Sequence, residues 1–226
     1  MTKVVAINGS PSTGKGNTAR ILNPFIEGMK EAGASVDLFY TKRLKIKPCT
    51  GTFYCWDKKP GQCIQQDDMQ TLYPLLWQAD ILVLATPVYI PLPGEMQNFM
   101  NRLCPLIDPE LEIKKGRTRA RFRNDVKISR IALVSSSGWW EIGNFGTVLR
   151  IAKELAKDAN VEFAGALLRP HANLLGREPE KAKIIYDACR QAGFQSVKSG
   201  KIPEKLAKTV SRPLISEEKW IKGENY

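Results

Sequence analysis

Along this chain, short runs of apolar residues alternate with stretches in which apolar residues recur every three to four positions. The runs "KVVAI" (3–7), "SVDLFY" (35–40), "DILVLAT" (80–86), "RIALVSSS" (130–137) and "VEFAGALLR" (161–169) are the expected strands. The first, third and fourth are apolar nearly throughout, as strands covered on both faces must be. Between them, Leu22, Phe25, Ile26 and Met29 fall at helical spacing, with Gly33 as the stop. Pro24 interrupts that pattern and predicts a kink or a late start. Met96, Phe99, Met100 and Leu103 form a second stripe, Ile151, Leu155 and Ala156 a third, and 178–192 is the last crossover candidate. Strands alternating with helices predict a doubly wound α/β fold with a parallel sheet. Residues 1–200 read as that domain. Residues 201–226, mixed in charge and holding two prolines, read as an extension packed on the core or on a neighbouring subunit.

Composition narrows the class. A chain of 226 residues suits one domain, and 43% hydrophobic with 25% charged residues fits a soluble globular protein. No apolar run approaches the roughly 20 residues that cross a bilayer. The N-terminus enters "KVVAI" with no secretory pattern, so a cytoplasmic protein without membrane contact is expected. Five cysteines, three of them between 49 and 63, do not suit a secreted disulfide framework. The formal charge of +11 invites a nucleic-acid reading, but the segment 114–130 alone carries eight basic residues against Asp125. It lacks interleaved aromatics, and a solvated basic loop or oligomer contact is the expected role, with steering of a phosphorylated nucleotide such as NADPH or of an acidic protein partner as the alternative and nucleic acid last.

Three loops follow the first, third and fourth runs. "NGSPSTGKGNT" (8–18) offers Gly9, Ser10, Ser12, Thr13, Gly14 and Gly16, then opens a helix near Asn17 and Thr18. Glycines let the backbone approach an anion, and amides at a helix start point at it. Gly9, Gly14 and Lys15 also match an ATP-binding P-loop. However, Gly16 stands where the metal-binding hydroxyl belongs, and no apolar strand closes on an aspartate. ATP is therefore rejected. "TPVYIPLPGEMQNFMNRL" places Pro87 and Tyr89 at the mouth of the crevice, with a flat ring suited to a fused-ring ligand. "VSSSGWWEIGNFG" supplies Ser135, Ser136, Ser137 and Gly138, then Trp139 and Trp140, at least one of which is a candidate ligand contact.

Together these loops resemble those of the flavodoxin-like NADPH-dependent FMN reductases, closest to the branch that includes the iron–sulfur flavoproteins. The resemblance spans about residues 3–195. It implies a five-stranded sheet of order 2-1-3-4-5 with FMN at the switch point. The phosphate would lie against Ser10, Ser12, Thr13, Gly16, Asn17 and Thr18. The ring would lie against Pro87, Val88, Tyr89, Ile90, Ser135, Ser136, Ser137, Gly138 and Trp139. Family members often carry Trp where Ile90 stands, and Lys15 is an extra cation. The implied chemistry is hydride transfer from NADPH or NADH to the flavin and on to a free flavin, quinone or other acceptor. Amides around Tyr89, Ile90 and Gly138 would steady charge on the ring, and no side chain is named as catalytic. A homodimer or tetramer is implied. A non-enzymatic electron carrier or redox sensor is the alternative.

The segment "PCTGTFYCWDKKPGQC" departs from the iron–sulfur pattern, a C-x-x-C-x-x-C run followed by one more Cys. Cys49, Cys55 and Cys63 match three positions and Thr52 occupies the fourth, which argues against a [4Fe–4S] cluster. Vestigial thiols, a three-cysteine iron site, zinc with an added ligand and a catalytic disulfide remain as readings. His171 is expected to be structural. Cys104 and Cys189 are expected to be small buried hydrophobes.

Overall fold

The computed structural model describes residues 1–114 and 116–224. Its elements run β1 (Lys3–Asn8), α1 (Asn17–Glu31), β2 (Ser35–Tyr40), α2 (Tyr54–Asp57), α3 (Met69–Gln78), β3 (Ile81–Pro87) and α4 (Gly94–Asn101). There follow β4 (Ile107–Lys114), β5 (Arg117–Phe122), β6 (Arg130–Ser136), α5 (Gly146–Asp158) and β7 (Glu162–Arg169). The chain ends in α6 (Leu174–Arg177), α7 (Pro179–Lys198), α8 (Glu204–Ser211) and α9 (Glu217–Lys219).

Five parallel strands form one sheet in the order β2-β1-β3-β6-β7. This is the expected flavodoxin-like order, with a hairpin inserted before the fourth strand. Successive side chains of β1 go to opposite faces, as strand geometry requires. Val4 and Ala6 join Ile21, Leu22, Phe25 and Met29 of α1 and Ile185 and Ala192 of α7 in one core. Val5 and Ile7 join Leu72, Leu76, Met96, Phe99, Val148 and Ala152 in the other, under α3, α4 and α5.

Pro24 does not delay α1, which starts at Asn17 and runs through it. The apolar face from Ile21 to Met29 is almost fully buried, and that burial outweighs the roughly 3 kcal/mol cost of an internal proline. α1 and α7 approach so closely that glycine is needed on both. A Cβ on Gly28 would stand 1.8 Å from the Arg190 carbonyl oxygen, and one on Gly193 would stand 1.8 Å from that of Phe25.

The tail beyond residue 200 is tied to its own chain. Ile202 donates its amide to Ala164, and Ile202, Val210 and Leu214 are buried in the α1–α7 core. Arg169, fully buried at the end of β7, donates Nη1 to the carbonyls of Val210 (2.9 Å) and Arg212 (2.7 Å). It has no carboxylate partner among the described residues, and burial pulls its guanidinium down to about 10.

The expected basic loop at 114–130 is corrected: much of it is strand. Residues 117–122 pair antiparallel with β4, with Ile107 opposite Phe122 and Glu112 opposite Arg119. Arg119 faces Glu154 and Asp158, Arg121 faces Asp108 and Glu110, and Arg123 faces Asp125. The patch is thus divided among local acids. Lys115, one of its eight basic residues, lies outside the described residues.

The α1–α7 contact gives a sharp expectation. Gly193→Ala should destabilise the fold by about 1–3 kcal/mol or more, because backbone rather than a movable side chain blocks the methyl group. Gly146→Ala, where an added Cβ meets nothing within 4 Å, should stay within about 0.5 kcal/mol. Urea melts of the two variants check this, and equal midpoints would refute the close approach.

Candidate functional site

The site lies at the carboxyl edge of the sheet, where strand order reverses at β1. Main-chain bonds bind three loops together there. Gly9 donates to the Ala85 carbonyl (2.7 Å), Val88 to Ser136 (2.8 Å) and Ser137 to Arg169 (2.9 Å). A Cβ on Gly9 would strike Met96 at 2.7 Å, so α4 packs directly on the loop after β1.

The first loop ends on an open helix terminus. No side chain caps α1 at Gly16, and no acidic residue stands in its first turn. Its leading amides and the positive end of its dipole are therefore left for an outside anion. Gly16 itself is a tight cradle, since a Cβ there would meet Ser10 Oγ at 2.8 Å and Ser12 Cβ at 2.9 Å. Thr13 holds a left-handed φ of 50°, an uncommon state for a threonine. Asn8 accepts from the Ser10 amide (2.9 Å), and its Nδ2 is buried without a partner among the described residues. Such a donor at the root of an anion-facing loop was not singled out from the sequence. A polar residue ending an apolar strand is the signal that would have found it. Ser12 and Lys15 are exposed, and Thr13 and Asn17 are partly exposed.

Not every expected hydroxyl is free. Thr18 Oγ1 and Ser136 Oγ bond each other at 2.7 Å, and Ser135 Oγ donates to the Thr86 carbonyl at 2.7 Å, all of them buried. These side chains brace the loops against one another. Ser137 Oγ accepts from the Trp139 amide (3.1 Å).

Two loops supply an apolar rim. Tyr89 is 53% exposed, Ile90 fully so, and Trp139 64%, with Ile142 open beside them in the chain. Gly138 leaves open space where a side chain would stand. The expected amide donors need one correction, because the Tyr89 amide is spent on the Pro91 carbonyl (3.0 Å). Among the described residues, the amides of Ile90 and Gly138 have no partner. The two tryptophans divide. Trp139 stays open, whereas Trp140 packs on His171 (4.6 Å between ring centres) and Trp220 (5.8 Å).

His171 lies under this rim and is structural. Its Nδ1 is 2.9 Å from Arg169 Nη2. Arginine can only donate, so Nδ1 accepts and the proton sits on Nε2. Burial first, and the Arg169 charge second, pull His171 down to about 4.

A second place with reactive side chains lies beyond the far end of α4. Cys49, Cys55 and Cys63 line one hollow of about 310 Å³, together with Thr52, Asn101 and, unexpectedly, Cys104. The expectation that Cys104 is a buried core residue fails: it is partly exposed and lines that hollow. Burial, reinforced by the neighbouring thiols, pushes Cys104 up to about 12. Cys189 is buried in the core, as expected. Among the described residues, no three His, Cys, Asp or Glu side chains already stand in the geometry of a single metal ion.

The sequence model of the NADPH-dependent FMN reductases matches residues 2–126 of this chain. Among curated proteins, the chain is 35% identical over 104 residues to an iron–sulfur flavoprotein of Archaeoglobus fulgidus, a match covering 46% of each. It is 35% identical over 116 residues to an iron–sulfur flavoprotein of Methanocaldococcus jannaschii, covering 51% of this chain and 57% of that one. The chain thus spans about half the length of the relatives it matches. Among solved structures, it resembles an FMN-dependent NADH-azoreductase of Bacillus anthracis crystallised with FMN. That likeness has a TM-score of 0.61 at 15% identity and covers 87% of this chain and all of that one. It shows the shared fold.

The pH behaviour follows from His171. Its folded-state pKa lies below its ordinary value of 6.5, so the unfolded chain takes up the proton first. Stability is full above about 6.5 and falls with pH down through about 4, by up to roughly 3 kcal/mol. Denaturation of the wild type and His171→Asn between pH 7.5 and 4 checks this. The wild type should lose more stability than the variant, and parallel losses would refute it.

Proposed function

The chain belongs to the NADPH-dependent FMN reductase family, and on that premise we propose that it holds FMN at the carboxyl edge of its sheet as an NAD(P)H-dependent oxidoreductase. The observation that carries the reading is the uncapped N-terminus of α1, with Gly16 pressed against Ser10 and Ser12. FMN, when bound, supplies two-electron chemistry, taking a hydride from a nicotinamide and handing electrons to an acceptor.

The chain's own residues bind and orient. Ser10, Ser12, Thr13, Gly16, Asn17 and Thr18 surround the phosphate, with amides and the helix dipole opposing its charge. Pro87, Val88, Tyr89 and Ile90 from one loop, and the segment from Ser135 to Trp139 from another, border the ring. The free amides of Ile90 and Gly138 would be donors to the polar edge of the ring. Tyr89 and Trp139 keep water from the reacting face. No proton-transferring side chain is assigned.

The donor is NADPH or NADH, and the acceptor a free flavin, a quinone or another electron acceptor. The working form is a homodimer or tetramer in the cytoplasm, in which a second subunit covers part of the exposed rim. The domain boundary falls near residue 200, with the tail serving as a packed extension.

Two measurements test this. FMN titrated into flavin-free protein should lose fluorescence with a one-to-one endpoint. Gly16→Ala should weaken that binding at least about tenfold, or 1.4 kcal/mol. NADPH or NADH added without oxygen should then bleach the flavin band at about 450 nm. Flavin that binds but does not bleach would leave an electron carrier in place of an enzyme.

A further inference from the structure

The loop after β6 is clamped by the residues that follow β7. Ser137 donates its amide to the Arg169 carbonyl (2.9 Å) and accepts at its own carbonyl from Ala172 (2.9 Å). Trp139 accepts at its carbonyl from the His171 amide (2.8 Å) and gives its own amide to Ser137 Oγ (3.1 Å). Both neighbours of Gly138 are thus bonded through amide and carbonyl alike, while the Gly138 amide has no partner among the described residues. We propose that His171 is a positioning residue for the flavin, which holds this clamp closed and so keeps the Gly138 amide aimed at the ring. The proposal rests on the reading that FMN occupies this edge of the sheet.

The clamp depends on an unusual turn. For His171 and Ala172 to reach Trp139 and Ser137, the chain folds back just after β7, and His171 takes a left-handed φ of 39°. That backbone state is uncommon for a residue with a side chain, and it persists only where the surroundings hold it. The imidazole is what they hold. Arg169 Nη2 donates to His171 Nδ1 at 2.9 Å, and the ring packs on Trp140 with 4.6 Å between centres. His171 is 1% exposed and Arg169 fully buried, so water does not compete for that bond. Arg169 is fixed in turn by the tail, through Nη1 on the carbonyls of Val210 and Arg212. Ser211 Oγ adds a bond to the Leu168 carbonyl at 2.8 Å, and Trp220 stacks on Trp140 at 5.8 Å. The tail beyond residue 200 therefore reaches the flavin-facing loop through His171 and Trp140.

A donor already in place does what a mobile one cannot. A preorganised amide needs no reordering when charge appears in front of it, whereas an amide on a loose loop must first be ordered. Hydrogen bonds to ring atoms are among the means by which a protein tunes a bound flavin. Reduction adds negative charge to the ring, so a fixed donor favours reduced over oxidised FMN. His171 moves no proton for this, since Nδ1 accepts from Arg169 and the imidazole stays neutral. It acts through the loop and not on the reacting atoms. A side chain without an acceptor would leave a buried arginine N–H unpaired and release the turn. Asparagine keeps both features, because it tolerates a left-handed φ and carries an accepting Oδ1 in the place of Nδ1.

The test compares variants of the full chain. In flavin-free protein, His171→Leu should speed hydrogen exchange at the amides of Ser137, Trp139 and Ala172 at least about tenfold relative to those of β3. In FMN-loaded protein, reduced against a reference dye, it should lower the flavin potential by about 30 mV, the two-electron equivalent of a tenfold loss in preference for reduced over oxidised FMN. His171→Asn should hold both quantities near their wild-type values. Leu76→Ala, in the core under α3, should weaken the fold and leave the potential where it was, which separates positioning from lost stability. An unshifted potential or unchanged exchange in His171→Leu, an equal shift in Leu76→Ala, or an Asn variant that falls as far as the Leu variant would each overturn the proposal. A wild type that takes up no FMN would overturn the oxidoreductase reading and this role with it. Flavin that binds but shows no shift among the variants overturns this role alone.

Discussion

The buried pair between Arg102 and Asp67 holds one side of this molecule together. Burial alone would raise the Asp67 carboxyl. Two bonds from Arg102 and the amides of Lys47 and Met69 instead hold it below the usual carboxylate range. Desolvating such a pair is costly; the two mutual bonds, the Lys47 carbonyl and the two amides on Asp67 offset it, while Arg102 Nε has no partner among the described residues. Here Asp67 fixes the start of α3, Lys47 the approach to the cysteine segment, and Arg102 the end of α4. Tyr73 of α3 adds a bond to the Arg102 carbonyl at 2.9 Å. Three segments remote in sequence therefore share one anchor.

Through α4 that anchor reaches the sheet edge. The helix spans Gly94–Asn101, roughly 12 Å at 1.5 Å per residue. At its start, Met96 fills the space against Gly9 of the phosphate-facing loop. At its end, Asn101 and Cys104 border the thiol-lined hollow. Lys42 on Glu95 (3.0 Å) and Asn98 on the Ile46 carbonyl (3.1 Å) stitch its length to the chain leading toward Cys49. A short helix with so many fixed points is a rigid spacer between the two places where chemistry collects.

Much of the fold could be read from hydropathy because the three central strands β1, β3 and β6 are buried on both faces and so stay apolar, while the edge strands β2 and β7 keep enough apolar positions to be seen beside them. The five expected strands begin and end within one residue of those observed. The hairpin escaped for the opposite reason. Arg117, Arg119, Arg121 and Arg123 alternate with Thr118, Ala120 and Phe122, a period-two signal masked by its charge. The loops of the site were legible because glycines and hydroxyls after a strand have few other uses. Which hydroxyls would brace the scaffold was not, since the Thr18–Ser136 bond joins residues 118 apart. Cys104 was hidden likewise: nothing local marks a cysteine that lines one hollow with another 55 residues earlier.

Charge at the sheet edge is arranged in one sense. The positive end of the α1 dipole meets no acid in its first turn, and no side chain caps it. At the end of the edge strand β7, Arg169 is buried with carbonyl and imidazole partners and, among the described residues, no carboxylate. Its own carbonyl receives the Ser137 amide, which ties the end of β7 to the third loop. His171 is held neutral beside it and spends its acceptor nitrogen on that cation. A fold that merely had to bury Arg169 would gain from an acid at this spot, because a paired charge is far less costly than a lone one. Among the described residues the cation is left without a countercharge, at the same carboxyl edge as the uncapped α1. That edge is thereby left to favour an anion from outside the chain, and the overall charge of +11 extends the same preference into solution.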